Sequence, residues 1–132
     1  MPNNIRIGQI GEELACQYLL NNKYEIIDRN YREKWGEVDI ICKDRDGVLV
    51  FVEVKTLRKS DFLNPEENLH SNKLKKIKRT AYLYANSHPE LINNNKGWQI
   101  DLVAIEINCE NPESLATKEL LKLSTIRHYE NI

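Results

Sequence analysis

Apolar and polar positions follow two different periods along this chain. Over residues 11–21 the apolar side chains Leu14, Ala15, Tyr18 and Leu19 recur at helical spacing, and Glu12 and Glu13 open the first turn of the helix this predicts. Residues 24–31 read as a strand. Residues 37–43 and 48–56, both rich in Val and Ile, read as two more, with Asp44-Arg45-Asp46-Gly47 between them as a hairpin signal. A second helix is expected from Asn64, which can cap it, with Pro65 at its first position and Glu67 completing a capping box. That helix restarts near Ser71 and runs to about residue 86, burying a stripe of Leu74, Ile77, Ala81 and Tyr84. Residues 98–107 form a long apolar strand, 113–121 a helix and 123–129 a last strand. The run Asn93-Asn94-Asn95 is a loop, not a linker. Residues 1–132 are therefore expected to make one α/β domain, a single mixed central sheet flanked by helices.

The hairpin carries the strongest chemical signal. Strand side chains alternate faces, so Val48, Val50, Val52 and Val54 share one face, and Leu49, Phe51, Glu53 and Lys55 share the other. A three-residue loop Arg45-Asp46-Gly47, with Gly47 in the left-handed position, puts Asp44 opposite Val48 and Asp39 opposite Glu53. Directly opposed residues have Cβ atoms about 4.5–5.5 Å apart, so two carboxylates there repel unless a proton or cation lies between them. Paired oxygen ligands suit Mg²⁺ or Mn²⁺, which can polarise a phosphoryl oxygen and acidify a bound water. Lys55 borders the same spot and can orient that water or neutralise charge growing on phosphate. The competing account is a solvated ladder of ion pairs on an exposed face. It fits poorly with a strand that otherwise looks buried on both sides.

Composition removes several classes. Hydrophobic residues make up 41% and charged residues 30% of the 132, the balance of a globular chain. The formal net charge of −1 excludes a polycation that coats nucleic acid by bulk charge. No apolar run approaches the roughly 18 residues of a membrane helix, and the polar start Met1-Pro2-Asn3-Asn4 is no signal peptide. Cys16, Cys42 and Cys109 are odd in number and far apart, the pattern of reduced thiols in a cytoplasmic protein. No spacing of these with His70, His88 and His128 fits zinc.

Gly8-Gln9-Ile10-Gly11-Glu12 with Ala15 and Tyr18-Leu19, then Arg29-Asn30-Tyr31-Arg32, Gly36-Glu37-Val38-Asp39-Ile40-Ile41, Phe51-Val52-Glu53-Val54-Lys55-Thr56 and Ile126-Arg127-His128 resemble the YraN-like family of small bacterial proteins. That family is similar to the restriction-endonuclease-like superfamily, whose nucleases carry the PD-(D/E)XK motif, and within it to archaeal Holliday-junction resolvases. The resemblance implies an α-β-β-β-α-β core and Mg²⁺-dependent cleavage of DNA, although the family itself is described as of unknown function. By position it makes Asp39 and Glu53 the metal carboxylates, Lys55 the catalytic lysine and Glu12 the additional acidic residue beside the metal. Glu12 has a plainer explanation as well, since the helix dipole favours any acid in a first turn. Two positions depart from the patterns. Val38 stands where the superfamily has Pro, and Gln99 where an Arg-x-Asp strand motif has Arg, with Asp101 kept. Relatives of the resolvase kind cut as dimers, so a second copy of the chain is a candidate partner.

Charge is unevenly spread. Residues 58–80 hold seven basic and three acidic side chains, a local net of +4. A basic helix face beside a metal site reads as a track for a phosphate backbone, with Arg58, Lys73 and Lys76 as the contacts, or else as a solvated helix face. Trp35, in a loop before the motif strand, can stack on a base. Trp98 reads as core, and His70 as a surface histidine near the basic helix. The expected function is a metal-dependent endonuclease acting on branched or structured DNA. The alternatives are a non-catalytic nucleic-acid-binding module and an interaction protein whose charges are structural.

Overall fold

The computed structural model describes residues 4–58, 71–93 and 95–132. Its elements are α1 (Asn4–Asn21), β1 (Glu25–Glu33), β2 (Gly36–Lys43), β3 (Leu49–Arg58), α2 (Ser71–Ser87), β4 (Trp98–Ile107), α3 (Thr117–Lys122) and β5 (Ser124–Tyr129). The strands form one sheet in the order β1-β2-β3-β4-β5. Neighbours are antiparallel except β3 and β4, which run parallel with α2 in the connection between them. A parallel pair needs such a crossover, because no tight turn can return the chain to the same end of the sheet.

β3 is central by composition as well as by position. Val50 and Val52 pack towards α1 with Leu14, Leu19, Ile40 and Val103. Leu49 and Phe51 pack towards α2 with Ile41, Ile77, Ala81 and Tyr84. A strand apolar on both faces belongs in a sheet covered on both sides, and here α1, joined by Leu120 of the short α3, covers one side and α2 the other. The hairpin register is the one its loop demands: Lys43 faces Leu49, and the pairs continue to Ile40 and Val52. Gly47 takes φ 81°, and Asp44 Oδ1 accepts the Val48 N–H at 2.9 Å, closing the turn.

Helix α1 starts earlier than the apolar spacing predicts. It begins at Asn4, and Ile10 extends its buried stripe towards the N-terminus. Glu12 and Glu13 therefore lie in the helix interior, not in its first turn, and the dipole argument does not account for either acid. The close approach of α1 to β3 is set at Gly11, where a Cβ would overlap the Thr56 side chain. α3 likewise starts later than expected, at Thr117, after a single 3-10 turn over Pro112–Ser114. The expected capping box at Asn64, Pro65 and Glu67 lies outside the described residues, as does His70. Among the described residues no helix is long and apolar enough to cross a membrane.

Candidate functional site

The pairing of β2 and β3 stops at Ile40 and Val52. In a continued ladder the next N–H, that of Val54, would meet the Val38 carbonyl. Asp39 Oδ2 accepts it instead, at 2.8 Å. Val38 packs on the α2 side and Ile40 on the α1 side although they are two residues apart, so β2 twists through Asp39. The two strands part at this point, and the Asp39 and Glu53 carboxyls sit in the fork, close enough to hydrogen-bond to each other.

The site is unfavourable for negative charge. Glu53 is 6% exposed. Burial pushes its pKa up to about 7, the Asp39 charge adds to the rise, and Lys73 opposes it. Burial also raises Asp39, against the Val54 hydrogen bond and the charge of Lys73. Lys73 Nζ lies 2.7 Å from Glu53 Oε1. Burial works against this ammonium, but its hydrogen bond to Glu53 and the surrounding carboxylates outweigh burial and raise its pKa.

Glu12 reaches the same region from α1. Burial, then the charge of Asp39, raises its pKa. Its Oε1 is buried with no hydrogen-bond partner among the described residues. A buried acceptor left without a donor is rare in folded proteins and calls for a proton or a cation. Its neighbour Glu13 faces solvent and pairs with Arg29 at 3.0 Å. The two acids thus differ, Glu13 paired at the surface and Glu12 holding a buried, unpartnered oxygen within electrostatic reach of Asp39.

Asp39, Glu53 and Glu12 could supply hard, all-oxygen donors of the kind Mg²⁺ and Mn²⁺ take, and the orphaned Glu12 oxygen is compatible with that chemistry. Their present arrangement is not closed around an ion. Asp39 Oδ2 holds the Val54 N–H and Glu53 Oε1 holds Lys73. Among the described residues, the donor atoms that all lie within 4.8 Å of one another belong to a different set: Asp101, His128 and Glu130.

That second cluster was not anticipated from the sequence. Asp101 is wholly buried and accepts hydrogen bonds from Gln99 Nε2 at 2.9 Å and the Asn131 N–H at 3.0 Å. His128 Nε2 lies 2.7 Å from Asp101 Oδ2, and its Nδ1 lies 3.0 Å from the Tyr18 hydroxyl. Asp101 and His128 are already satisfied, so the cluster is accounted for as a clamp joining β4, β5 and α1. Gln99 supplies one of the donors, which gives this residue a role at the position where an arginine is expected. The available signal was an aspartate between Ile100 and Leu102, a charge in the middle of an apolar strand.

Lys55 is two residues beyond Glu53 on β3, half-buried, and opposite Ala104 of β4. Lys73 and Lys76 stand exposed on α2, while the Arg58 side chain is outside the described residues. A cleft of about 460 Å³ opens between the β1–β2 turn and α2, lined by Arg32, Glu33, Lys34, Trp35, Glu37, Lys73 and Lys76, with Glu53 also in its wall, so its charge is mixed. Gly36 lets the turn approach α2, since a Cβ there would sit 2.5 Å from Thr80 Oγ1. Trp35 is 36% exposed, whereas Trp98 packs edge-on against Phe51.

Fold and site together describe a one-sheet α/β domain with acidic side chains gathered where two central strands part. The chain belongs to the uncharacterised protein family UPF0102, whose family model matches residues 11–105. It is 44% identical over 86 residues to a UPF0102 protein of Syntrophomonas wolfei, covering 65% of this chain and 74% of that one. It is 32% identical over 133 residues to one from Acaryochloris marina, covering 93% and 77%. A Clostridium botulinum member is 38% identical over 108 residues, covering 82% and 85%. The family resemblance read from the motifs is thereby borne out.

Proposed function

We propose that this protein is a metal-dependent endonuclease of the restriction-endonuclease-like kind that hydrolyses phosphodiester bonds of DNA, with branched or structured DNA as the preferred class. The observation that carries this reading is the meeting of the Asp39 and Glu53 carboxyls in the β2–β3 fork, with the buried, unpartnered Glu12 oxygen in electrostatic reach of Asp39. Asp39, Glu53 and Glu12 would hold Mg²⁺ or Mn²⁺. The ion, when bound, supplies polarisation of a phosphoryl oxygen and a more acidic water. The Val54 N–H fixes the Asp39 carboxyl in position. Lys55 extends from the same strand as Glu53 to neutralise charge on the phosphate and to orient the attacking water. The exposed lysines of α2 and the side chain of Arg58 provide contacts for the sugar-phosphate backbone, which positions the strand without reading its sequence. Cutting two strands requires two sites, which a second copy of the chain would bring.

A second reading, nucleic-acid binding without cleavage, is favoured by one observation: Lys73 already neutralises Glu53, as a structural ion pair would. One assay separates the two. Four-way-junction, flapped and linear DNA are incubated with Mg²⁺ or Mn²⁺, with Lys55→Ala as control. Cleavage by the wild type that the variant loses supports the nuclease. Salt-dependent binding with no cleavage supports the second reading.

A further inference from the structure

We propose that Lys73 is an exchange residue, which holds Glu53 in the metal-free protein and transfers to a backbone phosphate of nucleic acid lying in the adjoining cleft, so that divalent ion and nucleic acid bind with positive coupling. The inference rests on the nuclease reading above and assigns the site an order of assembly.

Three observations carry it. First, Lys73 Nζ occupies Glu53 Oε1 at 2.7 Å, an oxygen the ion would need. Second, the cleft that Lys73 lines also carries Arg32, Lys34 and Lys76, so a phosphate there meets several cations besides this one, with Glu33 and Glu37 in the same wall. Third, the Lys73 side chain is 52% exposed and lines the cleft together with Lys76 and Trp35, so it can turn from a buried carboxylate to a ligand in solvent within its own reach. A lysine ammonium on a four-carbon stem is a mobile point charge suited to such a transfer. Once Lys73 has moved, Glu53 and Asp39 face each other with no cation between them, and their repulsion favours a divalent ion.

The test uses the full chain, with Mn²⁺ alone as the first probe. Mn²⁺ is titrated by calorimetry at about pH 8, where carboxylates are free of protons for metal binding. Lys73→Met should bind Mn²⁺ more tightly than wild type by about fivefold or more, the usual lower range of a coupling between sites, and Lys76→Met should match wild type. In a Lys55→Ala background, where the strand stays whole, a four-way junction should raise Mn²⁺ affinity. Adding Lys73→Met should remove that rise. Equal Mn²⁺ binding by wild type and Lys73→Met, or no effect of the junction, overturns the exchange and leaves the metal site standing. No Mn²⁺ binding by either protein overturns both the exchange and the nuclease reading.

Discussion

Asp39 Oδ2 accepts the backbone N–H of Val54 at 2.8 Å, in the place where a β-ladder carbonyl would otherwise sit. A side chain has replaced the main chain as the partner of β3, so the strands part without leaving an orphaned donor. The same bond fixes Asp39 beside Glu53. Opening the sheet and placing the acid are one structural event, and several outcomes follow from it.

Stability should fall as pH rises through the titration of Glu53. Its folded pKa is about 7 against 4.5 for an unburied glutamate, so between these values the unfolded chain binds fewer protons than the folded one. The contribution of Glu53 to stability is full below about 4.5 and is lost as pH rises through about 7. Asp39 and Glu12, also raised by burial, act in the same direction. Urea midpoints at about pH 5 and about pH 7.5 should differ less in Glu53→Gln than in wild type, and Glu53→Gln should be the more stable protein at the higher pH. A wild-type midpoint that gains more than the variant's on going to the higher pH contradicts this account.

Two glycines of α1 should respond oppositely to alanine. Gly8 has open space around it, so Gly8→Ala should stabilise by about 0.5–1 kcal/mol through helix propensity. At Gly11 the new methyl overlaps Thr56, and Gly11→Ala should cost about 1–3 kcal/mol as overpacking. Denaturant unfolding of both variants checks the contrast. Equal effects would mean that α1 does not approach β3 at Gly11.

His128 should matter for the fold and not for the ion. His128→Ala leaves the buried Asp101 carboxylate short of a partner and should destabilise by about 2 kcal/mol, with Tyr18→Phe costing less. Mn²⁺ binding should be the same as in wild type. If His128→Ala abolishes Mn²⁺ binding while keeping its fold, the ion belongs to the Asp101 cluster instead of the fork.

Local signals carried much of this architecture. The apolar positions of β3 on both faces identify the central strand, and the Gly47 loop dictates the register, which runs to Ile40 and Val52 and stops one position short of Asp39 and Glu53. The start of α1 was less legible, because Gly8 and the polar residues around it weaken the periodic pattern before Gly11. That error had a consequence, since it offered the helix dipole as an explanation for Glu12 that the structure removes. Pairings across the crossover were not legible at all. Lys73 meets Glu53 only because α2 returns over the sheet between two parallel strands, and Asp101 meets His128 only because β5 pairs beside β4. No local period records either meeting.

The most direct test of the fork is a Mn²⁺ titration of wild type and Asp39→Asn, with circular dichroism of both. Asparagine keeps an oxygen for the Val54 N–H and removes the charge, so the fold should persist while the ion loses a ligand. The expected result is a binding event in wild type that is absent or greatly weakened in Asp39→Asn. The same event in both proteins, or none in wild type, would contradict a divalent-ion site between β2 and β3.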